Sequence, residues 1–476
     1  MDKVLHYLAL SLTCLLLAIF SGFLALFDLL DESVVALIFA YFILFRLAKF
    51  ATNSYTNVYI VYIVFSILYG ISGPVAVQWG GGLNEIFPKP YRLQEITVFF
   101  SLSIVGTVLG LIAGGINSGG DKTSFNTRLN LDVQVLNIGT LYRCAIFFLG
   151  LASVFELLNI QRAGGLEIIF LGKAFYQSAI AELTGVVPTL LFMMLGAALL
   201  GLYLSSANIN IKRNSIYAFL FASPWLLIML ISGRRGALVS IVLIVSLGYC
   251  YWKPIRLIKF KYIALTILFY SAMVALYVVR SQVEHAFATG NMNVIEERLL
   301  SSEVWSEAIN PANNEFAAPF GNINTYILRN TDGPSYGGTY VSGLASAVPS
   351  ILWPNKPKQE LYNFRDKYFP EEALRGAVAS TAYSSILEAY VNFRELGIVL
   401  VYMTISFLLI RLEKYRLSSR NIFVSLYYLL LTPIAISFHR SSLDASFLFP
   451  AIFAGIGVVI LKILGSYPRI VYRSRS

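Results

Sequence analysis

The chain has 476 residues, of which 57% are hydrophobic and only 13% charged, and its formal net charge is +10. Apolar runs of about twenty residues, the length that crosses a hydrocarbon core, recur along it, which excludes a water-soluble globular fold. The runs are continuous instead of alternating, and backbone polar groups in lipid must pair within their own segment. Helices are therefore expected and not a barrel: the fold class is all-α, a polytopic integral membrane protein.

The first apolar segment, Val4 to Phe27, is too long for a signal-peptide core, and no small-residue cleavage site follows it, so it reads as a retained first helix. Spanning helices are predicted at 4–27, 33–50, 58–79, 93–113, 138–160, 184–204, 215–232, 236–252, 262–279, 396–410, 422–439 and 446–461, about twelve in all. The chain thus divides into 1–279 with nine helices, a large outer loop at 280–395, and 396–476 with three helices and a tail. Cys14, Cys144 and Cys250 fall inside predicted helices without C-x-x-C or metal-ligand spacing, so cysteine chemistry is set aside. The basic residues sit at helix ends and form no single stripe, so no nucleic-acid partner is implied.

Charge sets the topology. Lys253, Arg256, Lys259 and Lys261 lie in one connection without an acid, and Arg411 to Arg420 carries four more positive charges, so both segments are expected in the cytoplasm, as are both termini. In that frame the inside segments hold 19 of the 36 Lys and Arg, the short outside loops 7, and the long loop 9, with Arg143 inside a helix. Arg234 and Arg235, in "ISGRRGALVS", then face outward, against the positive-inside tendency. Two arginines at a helix end can snorkel to headgroups. They can also bind an anion, because a tight glycine turn followed by a helix N-terminus adds N–H donors to two guanidinium forks, a setting suited to a phosphate or diphosphate.

The outer loop begins with "VIEERLLSSEVWSEAI", which has the spacing of an amphipathic surface helix. Its middle, "YILRNTDGPSYGGTYVSGLASAVPSILWPNKP", combines glycines with the aromatic faces of Tyr336, Tyr340 and Trp353. That combination fits either sugar binding or an irregular loop at the membrane interface. "SAVPSILWP" is apolar but too short to span, and reads as re-entrant or interfacial. Farther on, Arg365, Lys367 and Arg375 alternate with Asp366, Glu371 and Glu372, and Glu388 and Arg394 precede the tenth predicted helix. These charges form exposed ion pairs, or some of them serve as acid, base and phosphate clamp. The loop holds 9 basic and 13 acidic residues, so an anion site there has to be local. His439 and Arg440, in "ISFHRSSLDASF", are expected to close the eleventh helix on the outside.

Three stretches, "SGRRGA" at 232–237, "GPSYGGTYVSGLASAVPSILWPNKP" at 333–357 and "SSILEAYVNFRELG" at 384–397, taken in this order with the large outer loop, resemble the O-antigen polymerase (Wzy) family of oligosaccharide repeat-unit polymerases. Members are described by an Arg-x10-Gly pattern in two outer loops. Arg365 to Gly376 fits it, whereas Arg162 has Gly172 one position too early. The resemblance implies a multi-pass enzyme of the bacterial inner membrane, working in lipopolysaccharide or other surface polysaccharide biosynthesis. Such an enzyme transfers a growing glycan from undecaprenyl diphosphate onto an undecaprenyl-diphosphate-linked repeat unit at the periplasmic face, beside a flippase and a chain-length regulator. Arg234, Arg235 and Arg365 are the candidates for stabilising the departing diphosphate, with Glu388 or His439 as the proton acceptor. Tyr336, Tyr340, Arg375 and Arg440 are the substrate-binding candidates. No Asp-x-Asp pair occurs, and the "FDLLDES" connector with Asp28, Asp31 and Glu32 reads as solvated, so no metal and no cofactor is expected. An O-antigen ligase or a flippase for lipid-linked oligosaccharides remains the alternative.

The topology has a direct check. A cysteine introduced as Gly236→Cys, with the three native cysteines replaced, should react with a membrane-impermeant thiol reagent added outside intact cells. Protection until the cells are permeabilised would place the arginine turn in the cytosol.

Overall fold

The computed structural model describes residues 2–83, 86–115, 138–170, 189–206, 211–232, 234–250, 315–330, 332–346, 360–370, 382–418, 422–443 and 449–464, with a few isolated positions between them. Among these residues every regular element is helical and no strand occurs. Six helices are long and apolar enough to cross a membrane: Val4–Leu26, Leu30–Thr52, Val58–Trp79, Leu93–Gly114, Gly139–Arg162 and Ser385–Ser418. Shorter apolar helices occupy Thr189–Ser205, Ser215–Ile231, Gly236–Tyr249 and Ile422–Ser437. The expected helix at 262–279 lies outside the described residues.

The chain forms two compact units. The first comprises Met1–Asn117, Ile309–Lys414 and Pro433–Pro450; the second comprises Ser118–Ala308, Tyr415–Thr432 and Ala451–Ser476. In the first unit, α1 (Asp2–Leu26), α2 (Leu30–Thr52), α3 (Val58–Trp79) and α4 (Leu93–Gly114) form a bundle. Some of its interior polar groups bond across to neighbouring helices: Tyr7 Oη donates to the Leu111 carbonyl at 3.0 Å, and Ser21 Oγ to the Ser33 carbonyl at 2.8 Å. Leu5, Leu8, Leu12, Leu16, Ile19 and Phe23 recur at helical spacing on the exposed face of α1, as a lipid-facing stripe requires. At one end of the bundle Asp31 accepts hydrogen bonds from Gln78 Nε2 and Trp79 Nε1, each at 2.9 Å, and Asp28 accepts one from Gln94 Nε2 at 2.7 Å. The acidic connector expected to be merely solvated therefore fastens three helix ends together.

A second seam joins α4 to the long helix α13 (Ser385–Ser418). Gly106, Gly110 and Gly114 recur every four residues, and a Cβ on them would run into the Val399 carbonyl, the Met403 carbonyl and the Ile410 side chain. This is the small-residue spacing that lets two helices approach backbone to backbone where lipid supplies no hydrophobic drive. Ser406 Oγ donates to the Thr107 carbonyl at 2.8 Å and pairs with Tyr59 Oη at 2.8 Å, and Lys414 Nζ caps the Gly114 carbonyl at 2.6 Å. Lys414 thus lies at the end of the bundle opposite Asp31.

Helix α13 is not continuous. Phe393 (φ −138°, ψ 20°) and Arg394 (φ 54°, ψ −147°) break it, and the Gly397 backbone comes back against the Ala389 carbonyl. Ser385–Asn392 is thus a half-helix folded alongside the start of the spanning part. The described outer-loop residues from 315 onward pack into this same unit. The 3₁₀ turn Glu315–Ala317 leads into α10 (Ala318–Arg329), with Phe316 against Phe65 and Tyr69 of α3 (6.3 and 5.0 Å between rings) and Phe320 against Gly73. Phe65 and Tyr69 precede Trp79 by fourteen and ten residues, so α10 starts ~15–20 Å along α3 from its Trp79 end. The described loop residues from 315 to 329 are thus threaded along the helices of this unit. Two short helices follow, α11 (Gly338–Ser346) and α12 (Glu360–Tyr368).

The second unit contains α5 (Ile138–Arg162), α6 (Glu167–Phe170), α7 (Thr189–Ser206), α8 (Ile211–Ile231), α9 (Arg235–Tyr249), α14 (Ile422–Leu430) and most of α16 (Phe449–Leu464), while α15 (Thr432–Ser437) leads back to the first. Glycines again set the close approaches, Gly196 against Leu149 and Gly201 against Gly248. Glu156 is buried and accepts the Thr189 hydroxyl, whose oxygen in turn takes the Trp225 indole N–H at 3.4 Å.

Overpacking the α4–α13 seam should be costly. Gly110→Leu is expected to lower stability by about 1–3 kcal/mol or more, read as a lower unfolding temperature of the detergent-solubilised protein. Gly455→Ala, on α16 with open space around it, should leave that temperature unchanged or raise it.

Candidate functional site

The half-helix creates a local difficulty. Its last carbonyls, at Val391 and Asn392, have no following helical turn to bond them. The chain at 335–336 supplies the donors: Ser335 N–H reaches the Val391 carbonyl at 2.9 Å and Tyr336 N–H the Asn392 carbonyl at 3.1 Å. A tight turn is needed for this, and Tyr336 (φ 47°) and Gly337 (φ 89°) take left-handed backbone angles there, the latter a conformation suited to glycine. At the other end of the half-helix, Ser384 Oγ accepts the Leu387 N–H at 3.2 Å as its N-cap. Ser385 Oγ donates to the Phe438 carbonyl at 2.5 Å.

Between these ends, Glu388 is 1% exposed. Its Oε1 accepts the Thr339 hydroxyl at 3.0 Å and its Oε2 the Leu443 N–H at 2.5 Å. Thr339 Oγ1 in turn accepts from Asn392 Nδ2 at 2.6 Å, and the same amide nitrogen donates to the Glu388 carbonyl at 2.8 Å. The order Asn392 amide, Thr339 hydroxyl, Glu388 carboxylate is a relay in which every donor points at the acid, so each bond polarises the next. Beside it stands Tyr340, whose phenol is buried without a hydrogen-bond partner and whose ring lies 6.2 Å from Phe393. Burial, and then the negative charge of Glu388, push the Tyr340 phenol well above its ordinary pKa, so it stays protonated.

His439 is buried at 4% exposure in an aromatic cage. Nδ1 pairs with Tyr402 Oη at 3.2 Å, Nε2 faces the Tyr62 carbonyl at 3.2 Å, and its ring centroid lies 4.8 Å from Tyr62 and 6.4 Å from Tyr69. Tyr62 precedes Trp79 by seventeen residues, so His439 sits ~15–25 Å along α3 from the end fastened by Asp31, not at a helix rim. Arg440, half-buried, follows it, and its charge reaches the Tyr69 phenol. A cation part-way along a spanning helix is costly, and such groups ordinarily serve a function.

The other expected residues fall elsewhere. Arg365 donates from Nε and Nη2 to its neighbour Asp366 at 2.9 and 2.5 Å, while Lys367 pairs with Asp332. Tyr336 is exposed. Arg234 lies in the second unit, half-buried, as the N-cap of α9, with its N–H on the Met229 carbonyl at 2.9 Å. Arg235 opens that helix, but its side chain, like Arg375 and Gly376, lies outside the described residues.

Thus the first unit brings together Tyr340, Glu388, His439 and Arg440. Thr339 and Asn392 are central to the relay yet were not singled out from sequence, although both lie within the quoted stretches. Tyr62 and Tyr402, which cage His439, carried no sequence signal beyond being aromatic positions in apolar helices. No family model, curated protein or solved structure matches this chain, so the resemblance rests on the quoted motifs.

Removing the relay's middle member tests the geometry. Thr339→Val should leave Glu388 and Asn392 each short of a buried partner and cost about 1–3 kcal/mol, seen as a lower unfolding temperature. Thr339→Ser, which keeps the hydroxyl, should recover most of it.

Proposed function

We propose that this chain is a repeat-unit polymerase for a surface polysaccharide. In this reading it moves a growing glycan from undecaprenyl diphosphate to the sugar of an incoming undecaprenyl-diphosphate-linked unit, at the outer face of a bacterial inner membrane. One observation carries the reading. Two of the three stretches that resemble the O-antigen polymerases, 333–357 and 384–397, meet around a buried carboxylate, and the 439–443 segment closes the same cluster through Leu443.

The chemistry balances on such a cluster. The acceptor hydroxyl oxygen forms a bond to the anomeric carbon while the bond from that carbon to the diphosphate oxygen breaks. The hydroxyl proton passes to Glu388, and negative charge collects on the diphosphate. Asn392 and Thr339 hold the carboxylate in place, and a positioned base of this kind contributes roughly 10²–10⁴-fold to rate. Arginine stabilises the departing diphosphate, more strongly in the transition state than before it. Arg440 is the candidate in the first unit, and Arg234 and Arg235 are the candidates in the second, with Arg365 and Arg375 as further outer-loop cations. His439, with both nitrogens engaged, acts in this state as a support for the Tyr402 and Arg440 region. The reaction needs no resident metal or cofactor, and a flippase and a chain-length regulator are the expected partners.

A second reading has an observation of its own. Broken helices with buried polar groups beside them are also how transporters build a binding site, which keeps a flippase for the same lipid-linked unit in view. A ligase shares substrate and membrane plan. The glycan phenotype of a deletion strain separates the three: single-repeat glycan on the acceptor lipid for a polymerase, no attached glycan for a ligase, inner-face accumulation for a flippase.

Within the polymerase reading, Glu388→Gln and Arg235→Ala should each abolish long-chain glycan while protein level and the single-unit glycolipid persist. Purified Glu388→Gln protein should turn over at least about 100-fold more slowly, the low end expected for loss of a general base. A retained chain-length ladder in either variant removes that residue from the chemistry, and loss of activity in a chelator would contradict the metal-free mechanism.

A further inference from the structure

Helix α10 carries a second polar feature that the relay does not use. Pro319 to Tyr326 are all buried, and the segment includes Asn322, Asn324 and Thr325. Asn324 is satisfied, accepting the Arg92 N–H at 2.8 Å and donating to the Pro88 carbonyl at 2.7 Å; Thr325 donates to the Gly321 carbonyl at 2.8 Å. Asn322 is 0% exposed, yet neither its amide nitrogen nor its amide oxygen has a partner. Buried amides are almost always paired, and an exception calls for a reason.

Its direction follows from helix geometry. Phe320 packs on Gly73 of α3. Asn322, two positions on, points roughly 200° around the helix, away from α3, and Tyr326 one turn later shares its face. Tyr326 meets the ring of Tyr390 on the half-helix edge-on (6.3 Å, 88°) and that of Tyr368 on α12 (5.9 Å, 61°). The carboxamide therefore faces the side of α10 where the half-helix and α12 present aromatic rings. The half-helix is also the element that carries Glu388.

We propose that Asn322 and the Tyr326–Tyr390 pair form a subsite for a neutral sugar ring of the acceptor unit; this rests on the polymerase reading above. A carboxamide offers one donor group and one acceptor side by side, which matches adjacent sugar hydroxyls that each donate and accept. Aromatic rings take the apolar C–H face of the same ring. Arg394, whose guanidinium lies 5.1 Å from the Tyr390 ring centroid, borders this subsite, and the uncharged amide at its centre distinguishes it from a diphosphate site. The buried Tyr340 phenol, which the negative charge of Glu388 helps keep protonated, is then a candidate donor to the reacting hydroxyl.

The test uses full-length protein in detergent and two probes. One is the lipid-linked unit extracted from a strain lacking this protein, and the other is the free oligosaccharide released from it by mild acid. Asn322→Leu keeps the volume and removes both polar atoms. It should unfold at the wild-type temperature or higher, bind the free oligosaccharide about tenfold more weakly or worse, and raise the acceptor KM with little change in kcat. Asn322→Ala, which adds no bulk, should show the same binding loss if the leucine variant misfolds. Tyr340→Phe should lower kcat and leave oligosaccharide binding intact. If wild-type protein converts the lipid-linked unit but Asn322→Leu and Asn322→Ala bind the free oligosaccharide as wild type does, the amide holds a buried water only and the subsite is wrong. If wild-type protein neither binds nor converts either probe, the polymerase reading itself fails and the subsite goes with it.

Discussion

The first unit depends on one constraint: where water is excluded, a backbone group without a partner costs several kcal/mol. Breaking α13 at Phe393 and Arg394 strands carbonyls at 391 and 392, and the N–H groups of Ser335 and Tyr336 take them up. That capping fixes where residues 335–340 lie, and so delivers the Thr339 hydroxyl and the Tyr340 phenol to Glu388. The outer loop is consequently tied to the bundle by backbone bonding, with its side-chain contacts following from that placement. The same need explains the serines at the other end of the half-helix, Ser384 as N-cap and Ser385 on the Phe438 carbonyl.

Close backbone packing supplies the counterpart of this polar core. Gly106, Gly110 and Gly114 let α13 approach α4 until Ser406 and Lys414 can bond main-chain carbonyls on α4. Both devices do the work that burial of apolar area does in water, where lipid offers no such drive. The rigid partner for the half-helix is therefore the spanning part of its own helix, held against α4, with Gly397 allowing the Ala389 carbonyl to come close.

The spanning segments were legible because each is a long apolar run, and the starts of α3 and α4 agree with the expected bounds at 58 and 93. The break in α13 was not. "SSILEAYVNFRELG" has helical spacing throughout, and the left-handed angle at Arg394 is imposed by tertiary contacts that no local preference announces. Glu388 could be picked out as an acid ahead of an apolar run, but its partners Thr339 and Leu443 are 49 and 55 residues away. His439 was read as a rim residue because an eleventh helix was expected to run straight to 439. The chain instead bends after Leu430 and again after Ser437, which carries the imidazole in among Tyr62 and Tyr402. The glycine spacing of α4 was visible and unused.

The reversal also explains why a candidate base sits on a broken helix. Were α13 continuous, the eight residues Ser385 to Asn392 would extend it by ~12 Å beyond the break, along the helix axis and away from the seam with α4. Folded back, the same eight residues put a carboxylate against two donors and beside Tyr340 while remaining reachable from the loop that caps them. Glu388 is then anchored to the bundle at one oxygen through Leu443 and to the loop at the other through Thr339. The 335–340 turn supplies both a helix cap and a carboxylate donor, so displacing it would loosen the half-helix end and the Glu388 carboxylate together.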